Sequence, residues 1–382
     1  MAPPADRSPL GETAEGDAPT TSGDRLSRGS SRRRGRVVAF TGAASFLGRN
    51  LIGVLEEDPQ IERIVAIDVR PPETAGKKTR FYEIDLTAPA SGDRVAEVLA
   101  AEGVSTLVHL AFLSSPTPAV AWAHELESVG SMHLFQAARQ VGLAKLVVWS
   151  HTILYGAYPE NPNFLDEKHP LRAAWDEPFF ADKIAAEREA NAFAAKAKGT
   201  TVTILRTAPV LGPTVQNYVT RYLTQRVVPT LLGFDPLWQF VHEVDAVAAF
   251  RLAILRDFPG TFNIVGDGVL PLSTIVKLAG RRPVPMLGSA ARVAVGALWT
   301  AQVGVAPPSF LRYLRYLCVA DGDKAKRTMG FVPAFTTREA LVDFLGAQRL
   351  RDVRLLSEKR GGAKGAAPVP DPAGAERAER HG

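Results

Sequence analysis

Short apolar, β-branched runs alternate with segments of helical spacing between residues 37 and 206, and this alternation constrains the fold more than any other feature. Apolar strands separated by helices are typical of βαβ units, in which helices cover both faces of a buried parallel sheet. Right-handed crossovers then predict a doubly wound α/β fold of the Rossmann type. The predicted strands are Val37–Thr41, Arg63–Ile67, Arg80–Ile84, Thr106–Ala111, Lys145–Ser150 and Thr201–Arg206, and the predicted helices are Phe46–Glu57, Arg94–Ala101, Ala121–Gln140 and Pro178–Ala197.

The pattern becomes irregular and rich in proline from Ala208 onward. We therefore predict a Rossmann domain over residues 36–207 and a smaller α/β substrate-binding region over residues 208–346, lying over the carboxyl ends of the strands. A further apolar run at 261–265 is expected to rejoin the sheet. Residues 1–35 and 361–382 are predicted to be disordered tails, because they contain too little apolar surface to offset the entropy of ordering.

The formal net charge of +5 comes from the two ends of the chain. Residues 1–36 carry seven arginines and five acids, and residues 349–382 carry eight Lys/Arg and five acids, so residues 37–348 are balanced. A balanced core gives no support for a specific nucleic-acid face. Cys318 is the one cysteine, which excludes an internal disulfide and a cysteine metal cluster; no metal site is predicted.

Two segments resemble membrane or export signals, and neither interpretation is favoured. The apolar run after the arginines at 32–36 is too short for an export signal. The segment Ala290–Ala306 contains Arg292 and Gln302 and is too short to cross a bilayer, so a core or interface helix is favoured over a membrane-surface helix. A cytoplasmic protein without a transmembrane segment is expected.

The first predicted strand runs through a glycine turn into the first helix, in the segment VVAFTGAASFLGRN. Gly42 and Gly48 suit a turn that lets backbone approach a pyrophosphate and lets a helix pack on a strand. The helix N-terminus, at Ser45, Phe46 and Leu47, would offer N–H groups and a positive dipole end to the phosphates. Ser45 stands where a third glycine is usual. A tight turn without a ligand is the alternative interpretation.

Three further strand ends strengthen the prediction of a dinucleotide site. Asp68 ends the second strand twenty residues after Gly48, where a carboxylate accepts both ribose hydroxyls of NAD; Arg70 leaves NADP open. Asp85 and Leu86 follow the third strand, on the expected adenine side. Leu110 and Ala111 end the fourth strand, on the expected nicotinamide side.

With these motifs, the chain resembles the extended short-chain dehydrogenase/reductases of the NAD-dependent epimerase/dehydratase family. The resemblance covers nearly all of Val37–Leu345 and includes TGAASFLG, LVVWSHTILYG, LRTAPVLGP, FVHEVDAV and the closing segment DGDKAKRTMGFVPAF. It implies NAD as cofactor, a small-molecule substrate of the sugar-nucleotide kind, and a homodimer formed through the helices Ala121–Gln140 and Pro178–Ala197.

The resemblance also shows where this chain departs from the family. The family uses a tyrosine whose pKa is lowered by a lysine four residues later, and a Ser/Thr that orients the substrate oxygen. Here Phe179 stands in the tyrosine position, Lys183 in the lysine position, and His151 in the Ser/Thr position, followed by Thr152. Phe179 has no ionisable group. Lys183 would still bind the nicotinamide ribose.

The substrate side departs from the family as well. Trp238 and Gln239 stand where the family has an Arg-Asp pair whose arginine grips a nucleotide diphosphate, and Pro209 replaces an asparagine that commonly contacts the substrate. A nucleotide-sugar substrate is therefore less firmly indicated than the cofactor.

Two functions remain open. In the first, the protein is an oxidoreductase or isomerase in which His151, or the nearby Thr152 or Tyr155, replaces the missing phenol; imidazole titrates near neutrality. In the second, it binds NAD without turnover, as a sensor or scaffold, and His151 fills a collapsed pocket.

Overall fold

Seven parallel strands form the central sheet of the protein, in a computed structural model that describes residues 35–174 and 176–362, the last eleven by their backbone alone. The strands are β1 (Arg36–Thr41), β2 (Ile61–Asp68), β3 (Thr79–Glu83), β4 (Thr106–His109), β5 (Lys145–His151), β6 (Thr201–Thr207) and β11 (Gly260–Ile264). Their order in the sheet is β11-β6-β5-β4-β1-β2-β3, and each neighbouring pair is parallel. The predicted doubly wound fold is thus confirmed.

Helices cover the sheet because its central strands are apolar on both faces. Every residue of β4 is buried, and β5 is buried except at His151. The helices that accompany the sheet are α1 (Phe46–Glu56), α2 (Ser91–Ala101), α3 (Val120–His124), α4 (Gly130–Val141), α5 (Pro178–Lys196) and α7 (Glu243–Leu255).

The long helix predicted over Ala121–Gln140 is divided by a π-helical turn. Between α3 and α4, residues Glu125–Val129 form this turn, which adds a residue to the helical repeat. Glu127 lies in this turn, faces inward and is 1% exposed. The fourth strand also differs from the prediction: it ends at His109, so Leu110 and Ala111 lie in the following loop.

Outside the sheet, short strands and helices of the second region are built around two smaller apolar clusters. A third cluster has its buried residues between Ile153 and Ile184, and Tyr218, Phe310 and Tyr313 of the second region pack against it. The strand expected at 261–265 is β11, which pairs with β6 at the sheet edge. The remaining elements are β7 (Val210–Leu211), β8 (Val227–Leu231), β9 (Leu237–Trp238), β10 (Val241–His242), β12 (Leu270–Pro271), β13 (Arg282–Met286), α6 (Tyr218–Thr224), α8 (Leu272–Leu278), α9 (Gly288–Thr300) and α10 (Thr337–Gly362).

The apolar segment predicted at Ala290–Ala306 forms α9, in which Ala291 is the buried residue, and the loop that follows it. Among the described residues, no helix combines the length and apolar character needed to cross a bilayer. The predicted tails cover residues 1–35 and 361–382, and residues 1–34 and 363–382 lie outside the described part of the chain. Gly35 is described and precedes β1, and Gly361 and Gly362 are the last residues of α10.

Candidate functional site

The turn between β1 and α1 presents two unpaired backbone donors at a helix N-terminus. Gly42 has φ +66°, and a Cβ there would lie 2.7 Å from the carbonyl of Leu110. The Ser45 hydroxyl caps the helix by accepting from the Gly48 N–H at 3.1 Å. Among the described residues, no partner is present for the N–H groups of Phe46 and Leu47. This is the arrangement that binds a phosphate.

Asp68 lies beside this turn. Its carboxylate accepts from the Ala44 N–H at 2.9 Å and from the Val69 N–H at 2.8 Å, which fixes its orientation at the end of β2. These two bonds leave acceptor capacity on both oxygens. Arg70 follows on the surface and is exposed.

The other predicted cofactor residues differ in what they can offer a ligand. The Asp85 carboxylate is exposed and accepts from Thr87, where it stabilises a turn. The side chains of Leu47, Leu86 and Leu110 are buried in the main apolar cluster, which leaves their backbone atoms for a ligand. Ala111 is half-buried against the same cluster.

Lys183 forms an ion pair with Glu127, and both side chains are almost fully buried. The Lys183 Nζ lies 2.5 Å from Glu127 Oε1, and the side chains are 2% and 1% exposed. The same ammonium lies over the Phe179 ring, 4.1 Å from its centroid. Burial lowers the pKa of Lys183 and raises the pKa of Glu127, while the contact between them opposes both shifts. The Lys183 Nζ thus lies between Glu127 and the ring that stands in the position of the missing phenol.

His151, at the end of β5, carries a buried ring nitrogen without a partner. Its Nε2 makes no hydrogen bond within the described chain. Burial, and the charge of Lys183, hold the pKa of His151 well below 6.5. The imidazole is therefore neutral at physiological pH, and its Nε2 is available to a ligand atom.

His151 and Phe179 line one small cavity of about 30 Å³, together with Phe46, Leu113 and Tyr218. That volume is about one water by the usual measure. Thr152, the other predicted catalytic residue, is turned away from it and lines a larger, neighbouring cavity. The structure thus brings together His151, Phe179 and Phe46, but not Thr152.

Tyr155, considered above as a substitute for the phenol, is held in a buried polar network. Its hydroxyl donates to Asn263 Oδ1 at 2.7 Å and accepts from Arg206 at 2.8 Å. Arg206 is paired with Glu187 at 2.5 Å, and Glu187 also accepts from Ser150. Burial raises the pKa of Tyr155 to about 12. The network stabilises the sheet edge and leaves Tyr155 without a free role in the cavity.

Three residues of the substrate segment also have structural partners. His242 caps α7 and its Nε2 lies 3.0 Å from Asp343. The Trp238 Nε1–H donates to the Tyr313 carbonyl at 2.9 Å, and Gln239 Oε1 accepts from the Ala320 N–H at 3.0 Å.

Two residues that the sequence analysis missed lie at the centre of the site. Glu127 pairs with Lys183 and also accepts from the Leu113 N–H. Tyr218, at the start of α6, packs against Phe179 with ring centroids 6.2 Å apart. The position of Glu127, an acid on the apolar face of the predicted helix Ala121–Gln140, could have indicated its role. No local pattern indicates Tyr218, because it lies in the second region of the chain.

Comparison with known proteins points to one family. Residues 38–265 match the model of the NAD dependent epimerase/dehydratase family. An uncharacterised protein of Mycobacterium tuberculosis is 31% identical over 83% of this chain and 85% of its own length. A 3-diazoavenalumate denitrifying reductase of a Streptomyces species is 28% identical over 61% of this chain and 77% of its own length. The structure of MoeE5 in complex with UDP-glucuronic acid and NAD has a TM-score of 0.65 at 26% identity, covering 83% of this chain and 100% of MoeE5.

Proposed function

The chain belongs to the NAD dependent epimerase/dehydratase family, and from that premise we propose that it is an NAD-binding oxidoreductase in which His151 contacts the substrate oxygen. Bound NAD would supply reversible hydride transfer at its nicotinamide. The observation that carries the proposal is the buried, unpartnered Nε2 of His151, in a cavity next to the retained Lys183. A buried polar atom without a partner in the chain is a position where a ligand atom is expected.

The residues of the turn fit the cofactor. The free N–H groups of Phe46 and Leu47 would hold the pyrophosphate, and the oriented carboxylate of Asp68 would accept the ribose hydroxyls of NAD. The complex of MoeE5 with NAD supports this assignment. Arg70 keeps NADP as an alternative.

The proposed chemistry uses a neutral imidazole. In the reducing direction, the Nε2–H of His151 would donate to the carbonyl oxygen and stabilise the negative charge that develops as hydride reaches the carbon. The oxygen would then take this proton to form the alcohol, and the imidazolate left behind would regain a proton from solvent, so that the reduction consumes one proton overall. The positive charge of Lys183 would help to keep the His151 ring neutral, since a nearby cation disfavours protonation of an imidazole.

Replacing His151 tests the proposal. NADH oxidation would be followed with a panel of ketones, and NAD affinity by calorimetry. His151→Ala should lower kcat/KM by about 10²–10³-fold with NAD affinity unchanged, because one hydrogen-bond donor to the oxygen is lost. His151→Gln, which keeps an amide donor, should lose less. His133→Ala, on α4 against Gly92, is the matched control. Equal rates for all variants would overturn the role of His151.

A second candidate is NAD binding without turnover. It is favoured by the replacement of the phenol by Phe179 and by the neutralisation of Lys183 by Glu127. If calorimetry detects NAD binding but no ketone or alcohol in the panel changes the NADH absorbance, this second candidate is the function.

A further inference from the structure

A cavity of about 190 Å³ lies next to the small cavity of His151. Three residues, Ile153, Pro209 and Tyr218, line both spaces, so the two are separated by single side chains. Apart from Thr152 and Ile153, the walls come from the second region, including α9 and the loop that follows it. The cavity therefore adjoins the site of His151.

The walls of this cavity are apolar, and no charged side chain among the described residues lines it. Several aromatic residues contribute, among them Tyr222, Trp238, Phe310 and Tyr313. A diphosphate in such a space would leave its charges without a cation, at a large cost in desolvation.

Several polar atoms of these walls are already used within the protein. The Tyr222 hydroxyl donates to the Pro229 carbonyl at 2.8 Å, and the Tyr313 hydroxyl donates to the Ile153 carbonyl at 2.8 Å. The indole N–H of Trp238 donates to a carbonyl as well. These residues therefore offer a ligand their ring faces rather than hydrogen bonds.

Tyr218 differs from them, because its hydroxyl makes no hydrogen bond with the described residues. Its ring stands between the two cavities and packs against Phe179 and Phe310. One free polar group thus stands at the end of the apolar space that is nearest to His151.

We propose that this cavity binds an apolar, ring-sized substrate body, so that the substrate is an apolar alcohol or ketone rather than a nucleotide sugar. The size agrees: an apolar cavity of about 150 Å³ accepts benzene, and this one is about 190 Å³. The oxygen would lie at the Tyr218 and His151 end, and the ring among the aromatic walls. The substrate class rests on the proposed function, whereas the binding of apolar molecules does not.

Acetophenone and 1-phenylethanol are suitable probes, and their binding can be measured by saturation-transfer NMR on the full chain without any turnover. Saturation transfer is expected for both, and UDP-glucose should not displace them. Ala306→Trp would fill the cavity and abolish the signal, whereas Ala297→Trp, on the exposed side of α9, should preserve it. Should Ala306→Trp fail to fold, Val295→Phe narrows the same space from α9.

The outcomes separate the two proposals. Folded protein that binds UDP-glucose but neither probe overturns the apolar cavity and leaves hydride transfer intact. Binding of the probes that Ala306→Trp and Val295→Phe leave unchanged places them elsewhere and also overturns it. Binding that these variants abolish, with no change in NADH absorbance for any ketone, supports the cavity and refutes turnover.

Discussion

At the scale of single residues, the environment of His151 decides its chemistry more than its residue type does. An exposed imidazole titrates near pH 6.5, but here burial comes first and the charge of Lys183 second in lowering the pKa. The neutral ring therefore persists into acid solution. The proposed activity should accordingly show no acid limb from His151 near pH 6.5.

Removing the cation should raise the pKa of His151. The double variant Lys183→Met with Glu127→Leu removes both members of the ion pair, so that neither is left as an unpaired buried charge. It also removes one of the two causes that lower the pKa of His151. The neutral form is the active one, so its loss on acidification should begin at a higher pH than in the unmodified protein. The titration of the His151 ring protons by NMR measures this directly. An unchanged pKa would show that Lys183 has no influence on the ring.

Replacing Tyr155 distinguishes a structural role of its hydroxyl from a catalytic one. Tyr155→Phe removes a hydroxyl that bonds both Arg206 and Asn263 in a buried network. The loss should lower the free energy of unfolding by about 1–3 kcal/mol, because two polar groups lose a partner. Urea denaturation measures this, and kcat/KM with NADH and a ketone should stay the same. A large fall in kcat/KM without a change in stability would instead make Tyr155 catalytic.

The sequence identified the unusual residues of the site but not their partners. His151, Phe179 and Lys183 follow from motif spacing, which is local. Glu127 lies on the inward face of its helix, but its pairing with Lys183 depends on the packing of two segments that are 56 residues apart in the chain. Contacts between distant segments, such as that of Tyr218 with Phe179, depend on packing that no local pattern encodes.

At the scale of elements, the junction of β1 and α1 can be tested with two glycines that differ in their surroundings. Gly42→Ala should lower the free energy of unfolding by at least about 1–2 kcal/mol, the cost of a left-handed backbone for a residue with a Cβ. Its Cβ would also lie 2.7 Å from the Leu110 carbonyl, so NAD affinity should fall.

Gly53→Ala is the matched control for that prediction, since it lies in α1 and its Cβ would have 3.7 Å to the nearest atom. It should stabilise the protein by up to about 1 kcal/mol through better helix propensity, and should leave NAD affinity unchanged. Urea denaturation and calorimetry measure both effects. Equal behaviour of the two variants would mean that the turn is neither strained nor part of the cofactor site.

At the scale of the whole molecule, the sheet was predictable and the second region was not. The parallel sheet follows from repeated local patterns, and each predicted strand overlaps an observed one. The cavity is built from segments between Thr152 and Cys318 that meet only in the folded protein. The homodimer through α3, α4 and α5 stays a prediction; Trp122 and Met132 on these helices are about half exposed, which suits such a contact.

Stability in acid should depend on His109, which joins the sheet to α4. Its ring bonds Thr41 at 2.7 Å and Ser131 at 2.8 Å, and burial lowers the pKa to about 3. The unfolded chain, with a pKa near 6.5, binds the proton more readily, so this contribution is complete above about pH 6.5 and is lost as the pH falls toward 3. At about pH 5 the loss should be about 2 kcal/mol. Urea denaturation of the unmodified protein and of the His109→Gln variant measures this loss. The difference between their free energies of unfolding should change by this amount between about pH 7.5 and 5, because His151 contributes equally to both proteins. Parallel curves over that range would mean that His109 has the same pKa in the folded and the unfolded protein.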